Sequence, residues 1–189
     1  MAERLETWFG PSALATPANA VTGVRVLLTP VLLVLIVGVG PSWPAVALWI
    51  VLASTDGVDG YIARRHGTTR SGAFLDPLAD KFLVLGALWA LVIEGGAWWL
   101  PVALISAREV VMSCYRAWVG RRGVSIPARS TAKAKTVVQA VAVGVALTPP
   151  LAQGAGWLVS TGLWAAVALT LVSGAQYLRD GRSAARSRA

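Results

Sequence analysis

Six long apolar stretches dominate this sequence of 189 residues and restrict the folds that it can adopt. Each is between about 17 and 25 residues long, the length that an α-helix needs to cross the roughly 30 Å of hydrocarbon in a bilayer. Hydrophobic residues make up 56% of the chain and charged residues only 14%, whereas soluble domains carry about 25% charged residues. The sequence therefore predicts an all-α, polytopic membrane protein with six transmembrane helices. The predicted spans are 19–39, 43–64, 73–93, 97–119, 134–150 and 157–178.

The 17 lysines and arginines indicate how these helices are oriented. None of them falls in the connections 40–42, 94–96 or 151–156, and most lie in the other connections or near the chain ends. Because basic residues concentrate on the cytoplasmic side of membrane proteins, both termini and the connections 65–72 and 120–133 are predicted to be cytoplasmic. The formal net charge of +8 then fits anionic lipid headgroups, and we expect membrane lipids as partners and no nucleic acid.

The chain divides into a six-helix domain and two short terminal segments. Residues 1–18 form a cytoplasmic or interfacial segment, in which Leu5, Trp8 and Phe9 have the spacing of a short interfacial helix, although a frayed terminus fits equally well. Residues 19–178 form the membrane domain. Residues 179–189 are a basic cytoplasmic tail, expected to lack regular structure because it is polar and poor in apolar residues.

Four of the nine acidic residues lie within twenty-five positions, at the ends of two apolar helices. Asp56 and Asp59 are spaced i and i+3, and Asp76 and Asp80 are spaced i and i+4, so each pair projects from one face of its helix. Ionisable groups within membrane spans are rare, and their presence indicates function. These four aspartates are therefore the first candidates for chemistry.

The predicted topology brings the two pairs to the same depth. The connection between helices two and three is short, so the helices are antiparallel neighbours, and Asp56 and Asp80 each lie about 12 Å from their helix ends. Four such carboxylates repel one another strongly unless cations neutralise them. Oxygen ligands without His or Cys favour Mg²⁺ or Mn²⁺, and one aspartate of such a cluster could also act as a base. Salt bridges with nearby Arg and Lys would explain the charges, but not the paired spacing together with Gly57 and Gly60.

Residues 56–80, DGVDGYIARRHGTTRSGAFLDPLAD, resemble the signature of the CDP-alcohol phosphotransferases, D-x-x-D-G-x-x-A-R followed after a gap by G-x-x-x-D-x-x-x-D. The gap between Arg64 and Gly72 is one residue shorter than the family pattern, which affects the loop and not the aspartates. All eight fixed positions of the signature are matched, by Asp56, Asp59, Gly60, Ala63, Arg64, Gly72, Asp76 and Asp80.

The resemblance implies a six-helix fold, usually homodimeric, that displaces CMP from a CDP-linked lipid with the hydroxyl of a second substrate. It implies that Asp56, Asp59 and Asp76 bind one divalent ion and that Asp56, Asp76 and Asp80 bind a second, with Asp80 also the catalytic base. The distribution of Lys and Arg predicts that this site lies at the cytoplasmic side of the cell membrane. The residues that the resemblance assigns to the nucleotide are Asp59, Gly60, Ala63, Arg64 and Gly72.

Three further stretches, at 16–30, 107–118 and 132–139, resemble the bacterial phosphatidylglycerolphosphate synthases. In that family CDP-diacylglycerol is the donor, glycerol 3-phosphate is the acceptor and phosphatidylglycerol phosphate is the product. A dianionic acceptor phosphate needs basic partners, although each candidate could instead contact lipid phosphate, and Arg25 is ambiguous in the same way. The candidates are Arg108, Arg116, Lys133 and Lys135.

Other functions stay open at this point. Within the same superfamily, a cardiolipin synthase would use phosphatidylglycerol as acceptor, and a phosphatidylinositol phosphate synthase would use an inositol phosphate. A membrane prenyltransferase also uses Asp-rich motifs, but it needs more helices and lacks the D-G-x-x-A-R element. Outside enzymes, a small cation transporter could bury carboxylates, but its acids would lie near the bilayer midplane.

Overall fold

A computed structural model describes the backbone of residues 17–66, 70–121 and 130–186, and the side chains of residues 20–55, 78–115, 118 and 134–176. This part of the chain is entirely α-helical outside short connections, so the prediction of an all-α protein is confirmed. Six long helices match the six predicted spans within four residues at each boundary, except at the end of the last. The helices are α1 (Pro17–Val39), α2 (Trp43–His66), α3 (Arg70–Glu94), α4 (Trp99–Arg121), α5 (Ser130–Leu147), α6 (Pro149–Gly154) and α7 (Gly156–Arg186).

The short helix α6 was not expected from the sequence. The predicted fifth span ran to residue 150, but α5 ends at Leu147 and Thr148 is extended, with φ −79° and ψ 113°. Pro149 and Pro150 explain this break, because proline disfavours a helical conformation in the residue before it and is well suited to the first turn of a new helix. The predicted fifth span therefore contains most of the long helix α5 and the first two residues of the six-residue helix α6.

The last helix is longer than its predicted span. α7 continues through the basic segment to Arg186, so the expectation of a tail without regular structure is wrong for residues 179–186. This segment is rich in Ala and Arg, both strong helix formers, and it extends a helix that is already nucleated. The amphipathic segment 2–10 lies outside the described residues.

Two glycines end α1 and α3. Gly40 has φ 77° and Gly95 has φ 94°, a left-handed conformation that residues with a Cβ adopt with difficulty. The N–H groups of Gly40 and Gly95 donate to the carbonyls of Ile36 and Leu91, both at 3.1 Å. This is a common helix C-terminal motif, and it turns the chain sharply into the next helix.

Cross-helix hydrogen bonds show that α3 and α4 run antiparallel. Lys81 bonds to Ser113, and Trp89 Nε1 donates to Ser106 Oγ at 3.1 Å, so residue numbers rise along α3 as they fall along α4. α3 also packs on α1 and α5, α2 packs on α1, α3 and α5, and α7 packs on α4 and α5. The bundle therefore has α3 and α5 in contact near its centre, with most of the other long helices around them.

Small residues allow the closest helix contacts. A Cβ on Gly86 of α3 would lie 3.2 Å from the Leu33 side chain of α1, and a Cβ on Gly162 of α7 would lie 3.2 Å from Cβ of Ala142 on α5. Both distances are tighter than ordinary van der Waals contact. Close approach of this kind is typical of helices that associate within a membrane.

The outer surface of the bundle is strongly apolar. Leu27, Val34 and Ile93 are each at least 70% exposed, and many other large hydrophobic side chains face outward. By length and composition, two of the described helices could cross a membrane, over Ala20–Val39 and Gly156–Gln176, and shorter apolar helices cover Trp43–Thr55 and Ala134–Leu147. An exterior of this kind would be unfavourable in water and suits an integral membrane protein.

Candidate functional site

Both aspartate pairs lie inside helices. Positions 56 and 59 fall within α2 and positions 76 and 80 fall within α3, and these two helices contact each other. The i, i+3 and i, i+4 spacings therefore act as helical spacings, as the sequence predicts.

Asp80 is the one member of the quartet whose side chain the structure describes. It is half-buried and lies one turn before Leu83 and Val84, which are both buried. Its carboxylate thus continues the inward face of α3 toward the helix start. The side chains of Asp56, Asp59 and Asp76 lie outside the described residues.

The other motif residues can be placed only by helix. Gly60, Ala63 and Arg64 belong to the last turns of α2, and Gly72 belongs to the first turn of α3. Their side chains, and those of Arg116 in α4 and Lys133 in α5, lie outside the described residues. The predicted nucleotide site therefore lies where α2 ends and α3 begins.

Among the described side chains, no group of three or more His, Cys, Asp and Glu residues could hold a metal ion. The side chains of three of the four predicted ligands lie outside the described residues. The described side chains therefore do not test the predicted metal site. The donor set itself consists of carboxylate oxygens on two neighbouring helices. That chemistry fits Mg²⁺ or Mn²⁺.

Two of the predicted acceptor-binding cations meet at a single carboxylate. Arg108 Nη1 donates to Oε1 of Glu109 at 3.0 Å, and the ammonium of Lys135, on α5, donates to the same oxygen. Glu109 and Lys135 are 9% and 7% exposed, so the contact is almost out of reach of solvent. The structure therefore brings Arg108 and Lys135 together, through a residue that the sequence analysis did not select.

The negative charge of Glu109 offsets the repulsion between Arg108 and Lys135. Two cations that share one carboxylate oxygen repel each other by several kcal/mol at an effective dielectric constant of about 20. Removing one partner from a buried ion pair costs about 3–5 kcal/mol, because the remaining charge is left uncompensated. Arg108 and Lys135 can therefore stay close together because Glu109 lies against both.

Arg108 is held on its other side by α7. Its Nη2 donates to Ser173 Oγ at 2.7 Å, and a Cβ on Gly174 would lie 3.6 Å from its Nε. The guanidinium therefore lies against α7 at an ordinary van der Waals distance. The planar guanidinium thus joins α4 to α7 while Lys135 joins α4 to α5.

A third cation approaches the same carboxylate from α3. The Lys81 ammonium donates to Ser113 Oγ, which in turn donates to the backbone carbonyl of Glu109 at 2.6 Å. Lys81 also interacts electrostatically with the Glu109 side chain. We call Lys81, Arg108 and Lys135, together with Glu109, the cation cluster. Because Lys81 directly follows Asp80, its contact connects this cluster to α3, the helix that carries Asp76 and Asp80.

Two buried polar groups lie one helical turn from this cluster. Gln139 follows Lys135 by four residues on α5, and Thr170 precedes Ser173 by three on α7. Within the described part of the chain, Gln139 Nε2 and Thr170 Oγ1 have no hydrogen-bond partner. Buried polar groups are normally satisfied, so this region between α5 and α7 has polar capacity that its own contacts do not use.

Arg25, which the sequence left ambiguous, is buried in the bundle and only 1% exposed. Its Nε donates at 3.1 Å to Oγ1 of Thr55 on α2, the residue directly before Asp56. Thr29 Oγ1 donates to the Arg25 carbonyl at 2.7 Å. Arg25 therefore faces the protein interior, which does not fit the alternative of a lipid-phosphate contact at the helix end.

Glu109 and Lys81 are the residues of this site that sequence reasoning missed. Both carried one available signal, since each is an ionisable residue within an apolar stretch. The sequence suggests a local pair of Glu109 with its neighbour Arg108, but it does not show the contact with Lys135, which is 26 residues away and on another helix.

The chain is similar to known proteins over most of its length. Residues 15–184 match the family model of the CDP-alcohol phosphatidyltransferases. The chain is 40% identical over 178 residues to a probable phosphatidylglycerophosphate synthase of Mycobacterium tuberculosis, an overlap that covers 89% of this chain and 83% of that protein.

Two other relatives are described by the donor and acceptor that they use. A CDP-diacylglycerol–glycerol-3-phosphate 3-phosphatidyltransferase of Pseudomonas fluorescens is 40% identical over 176 residues, covering 85% of this chain and 87% of that protein. The Escherichia coli K12 protein of the same description is 38% identical over 170 residues, covering 84% of this chain and 91% of that protein. The family predicted from residues 56–80 is therefore confirmed: the chain belongs to the CDP-alcohol phosphatidyltransferase family.

Proposed function

We propose that this protein transfers the phosphatidyl group of CDP-diacylglycerol to a hydroxyl of glycerol 3-phosphate, releasing CMP and forming phosphatidylglycerol phosphate. The relative described as a probable phosphatidylglycerophosphate synthase and the two described as CDP-diacylglycerol–glycerol-3-phosphate 3-phosphatidyltransferases support this activity. The names of these relatives carry the choice of glycerol 3-phosphate, and one structural observation supports a phosphorylated acceptor: Arg108 and Lys135 meet at one carboxylate inside the bundle. An anionic acceptor phosphate needs such a pair, and an uncharged alcohol does not.

The protein would lie in the cell membrane with six transmembrane helices and both termini in the cytoplasm. The distribution of Lys and Arg supports this orientation. The active site would then open to the cytoplasmic side, where CDP-diacylglycerol and glycerol 3-phosphate meet. We expect a homodimer, as is usual in the family.

The four aspartates would hold two divalent ions, Mg²⁺ or Mn²⁺, through Asp56, Asp59 and Asp76 and through Asp56, Asp76 and Asp80. Bound there, the ions would supply charge neutralisation on the pyrophosphate oxygens of the liponucleotide. Helix geometry supports this assignment, because both pairs have helical spacing on helices that contact each other. Carboxylates without such ions would repel one another.

Asp80 would act as the catalytic base. It would take the proton from the acceptor hydroxyl while the hydroxyl oxygen attacks the phosphorus that carries diacylglycerol, and the bond from this phosphorus to CMP would break. Phosphoryl transfer of this kind depends mainly on in-line positioning and charge neutralisation. The half-buried position of Asp80 on the inward face of α3 supports this role.

The nucleotide would bind where α2 ends and α3 begins. Asp59, Gly60, Ala63, Arg64 and Gly72 would line it, since small residues allow a flat or phosphorylated group to approach the helix backbone. On the other side of the proposed active site from the nucleotide, the acceptor phosphate would contact Arg108 and Lys135. Arg116 and Lys133 would extend that basic surface, because they lie farther along α4 and near the start of α5.

A panel of acceptors tests this proposal. The purified protein is supplied with CDP-diacylglycerol, Mg²⁺ and one of three acceptors, namely glycerol 3-phosphate, phosphatidylglycerol or an inositol phosphate, and CMP release and lipid product are followed. We expect CMP and phosphatidylglycerol phosphate with glycerol 3-phosphate, and CMP release with the other two at background level. Turnover with phosphatidylglycerol or the inositol phosphate in place of glycerol 3-phosphate would contradict the proposed acceptor, and metal flux across vesicles without CMP release would contradict the enzyme.

A further inference from the structure

We infer that Glu109 is a positioning residue for the acceptor, which holds Arg108 and Lys135 in place and sets the charge of the site that receives the acceptor phosphate. This inference rests on the proposed function, because it assigns a role to a carboxylate within the site proposed for glycerol 3-phosphate. Glu109 itself does not contact the substrate. It acts through the two cations.

The shared oxygen is the geometric basis of this inference. Arg108 and Lys135 both donate to Oε1 of Glu109, so one atom fixes the position of a guanidinium on α4 and of an ammonium on α5. An ordinary stabilising ion pair needs only one cation. Two cations on one buried carboxylate oxygen indicate that Glu109 holds these positive groups close together.

The charge of the cluster is the second observation. Among the described side chains, three cations, Lys81, Arg108 and Lys135, lie around the carboxylate of Glu109, so the positive charges of these four groups outnumber the negative one. The phosphate of glycerol 3-phosphate is a dianion near neutral pH. The cluster and the phosphate are therefore complementary in charge.

Arg108 has one donor that its described contacts do not use. Its Nε is buried and, within the described part of the structure, has no hydrogen-bond partner. A guanidinium has five donors, and the Glu109 carboxylate oxygen and the Ser173 hydroxyl accept from Nη1 and Nη2 only. A phosphate, with its several acceptor oxygens, is the type of ligand that such a cluster would bind.

Steady-state kinetics of Glu109→Ala and Glu109→Gln test the inference. We expect Glu109→Ala to raise KM for glycerol 3-phosphate by about tenfold and to change KM for CDP-diacylglycerol by less than about twofold. Glu109→Gln keeps the size of the side chain and one acceptor oxygen, so it should restore part of the loss and give a rise of about threefold. Glu94→Gln is the matched control. Glu94 lies at the end of α3 that is away from Lys81, so this variant should leave the KM values of both substrates unchanged.

A double variant separates positioning from a general effect on folding. If Glu109 acts through Lys135, Glu109→Ala combined with Lys135→Ala should have a KM for glycerol 3-phosphate within about threefold of that of Lys135→Ala alone. A KM equal to the product of the two single effects would overturn the inference. So would equal changes in KM for both substrates in Glu109→Ala, or no change in either.

Failure of this inference and failure of the proposed function give different results. Wild-type protein that turns over glycerol 3-phosphate, together with a Glu109→Ala variant that behaves like Glu94→Gln, overturns only the role of Glu109. Wild-type protein that releases no CMP with glycerol 3-phosphate overturns both.

Discussion

Arg25 on α1 donates from Nε to Oγ1 of Thr55 on α2 at 3.1 Å, one residue before the first aspartate of the signature. Thr55 Oγ1 in turn donates to the Leu52 carbonyl at 2.6 Å, so the hydroxyl joins the buried guanidinium to the backbone of α2. The contact places a fixed positive charge close to the start of the aspartate cluster. It also joins α2, the helix that carries two of the proposed metal ligands, to its neighbour α1.

Replacing Thr55 with Val tests the structural importance of this contact. Valine has nearly the same shape but offers no acceptor, so Arg25 Nε loses a buried partner, at a cost of about 1–3 kcal/mol. We expect a lower thermal midpoint in detergent and a higher Mg²⁺ concentration for half-maximal activity. Thr55→Ser keeps the hydroxyl and is the control; equal midpoints for the Val and Ser variants would show that the hydrogen bond contributes nothing.

Asp80→Asn tests the assignment of the base. The amide keeps the size of the side chain but cannot take a proton from the acceptor hydroxyl, so we expect CMP release to fall by at least about 10³-fold, in the range that loss of a general base produces. Binding of CDP-diacylglycerol should be largely retained, because Asp56, Asp59 and Asp76 remain. Binding is measured by equilibrium titration and turnover by CMP release, and turnover near the wild-type rate would exclude Asp80 as the base.

Arg108→Lys tests whether the forked guanidinium matters beyond its charge. Arg108 bonds Glu109 at 3.0 Å with Nη1 and Ser173 at 2.7 Å with Nη2, on two different helices. A lysine ammonium is a single point and is not expected to keep both contacts, so KM for glycerol 3-phosphate should rise by about tenfold. Ser173→Ala leaves the contact with Glu109 in place and should have a smaller effect; a lysine variant with an unchanged KM would show that charge alone is sufficient.

Gly40→Ala tests the left-handed turn at the end of α1. With φ at 77°, alanine is strained there, and we expect a loss of about 1 kcal/mol in stability and a lower thermal midpoint. Gly38, two residues earlier and within α1, is the matched control, because a Cβ there would meet nothing within 4 Å. Gly38→Ala should be neutral or stabilising, and a Gly40→Ala variant as stable as Gly38→Ala would contradict the role given to the turn.

The long helices could be predicted from the sequence because hydropathy is a local property that extends over some twenty consecutive residues. The two aspartate pairs were also accessible, since their spacing has meaning on any helix and both pairs lie within helices. The short helix α6 was missed because Pro149 and Pro150 are followed by further apolar residues that hide the break. The end of α7 was missed because a polar, basic composition was taken as a sign of disorder.

The contacts between helices could not be predicted in the same way. Glu109 and Lys135 are 26 residues apart, and Arg25 and Thr55 are 30 apart, so their contacts depend on how α4, α5, α1 and α2 pack. Sequence reasoning found Arg108 and Lys135 as separate candidates. The carboxylate between them is visible only in the folded bundle.

An experimental structure with Mn²⁺ and glycerol 3-phosphate bound tests the central claim most directly, since anomalous scattering locates the metal and density locates the phosphate. The account predicts two Mn²⁺ ions among Asp56, Asp59, Asp76 and Asp80, and a phosphate within hydrogen-bonding distance of Arg108 and Lys135. A metal bound elsewhere, or an acceptor phosphate that touches neither cation, would contradict it.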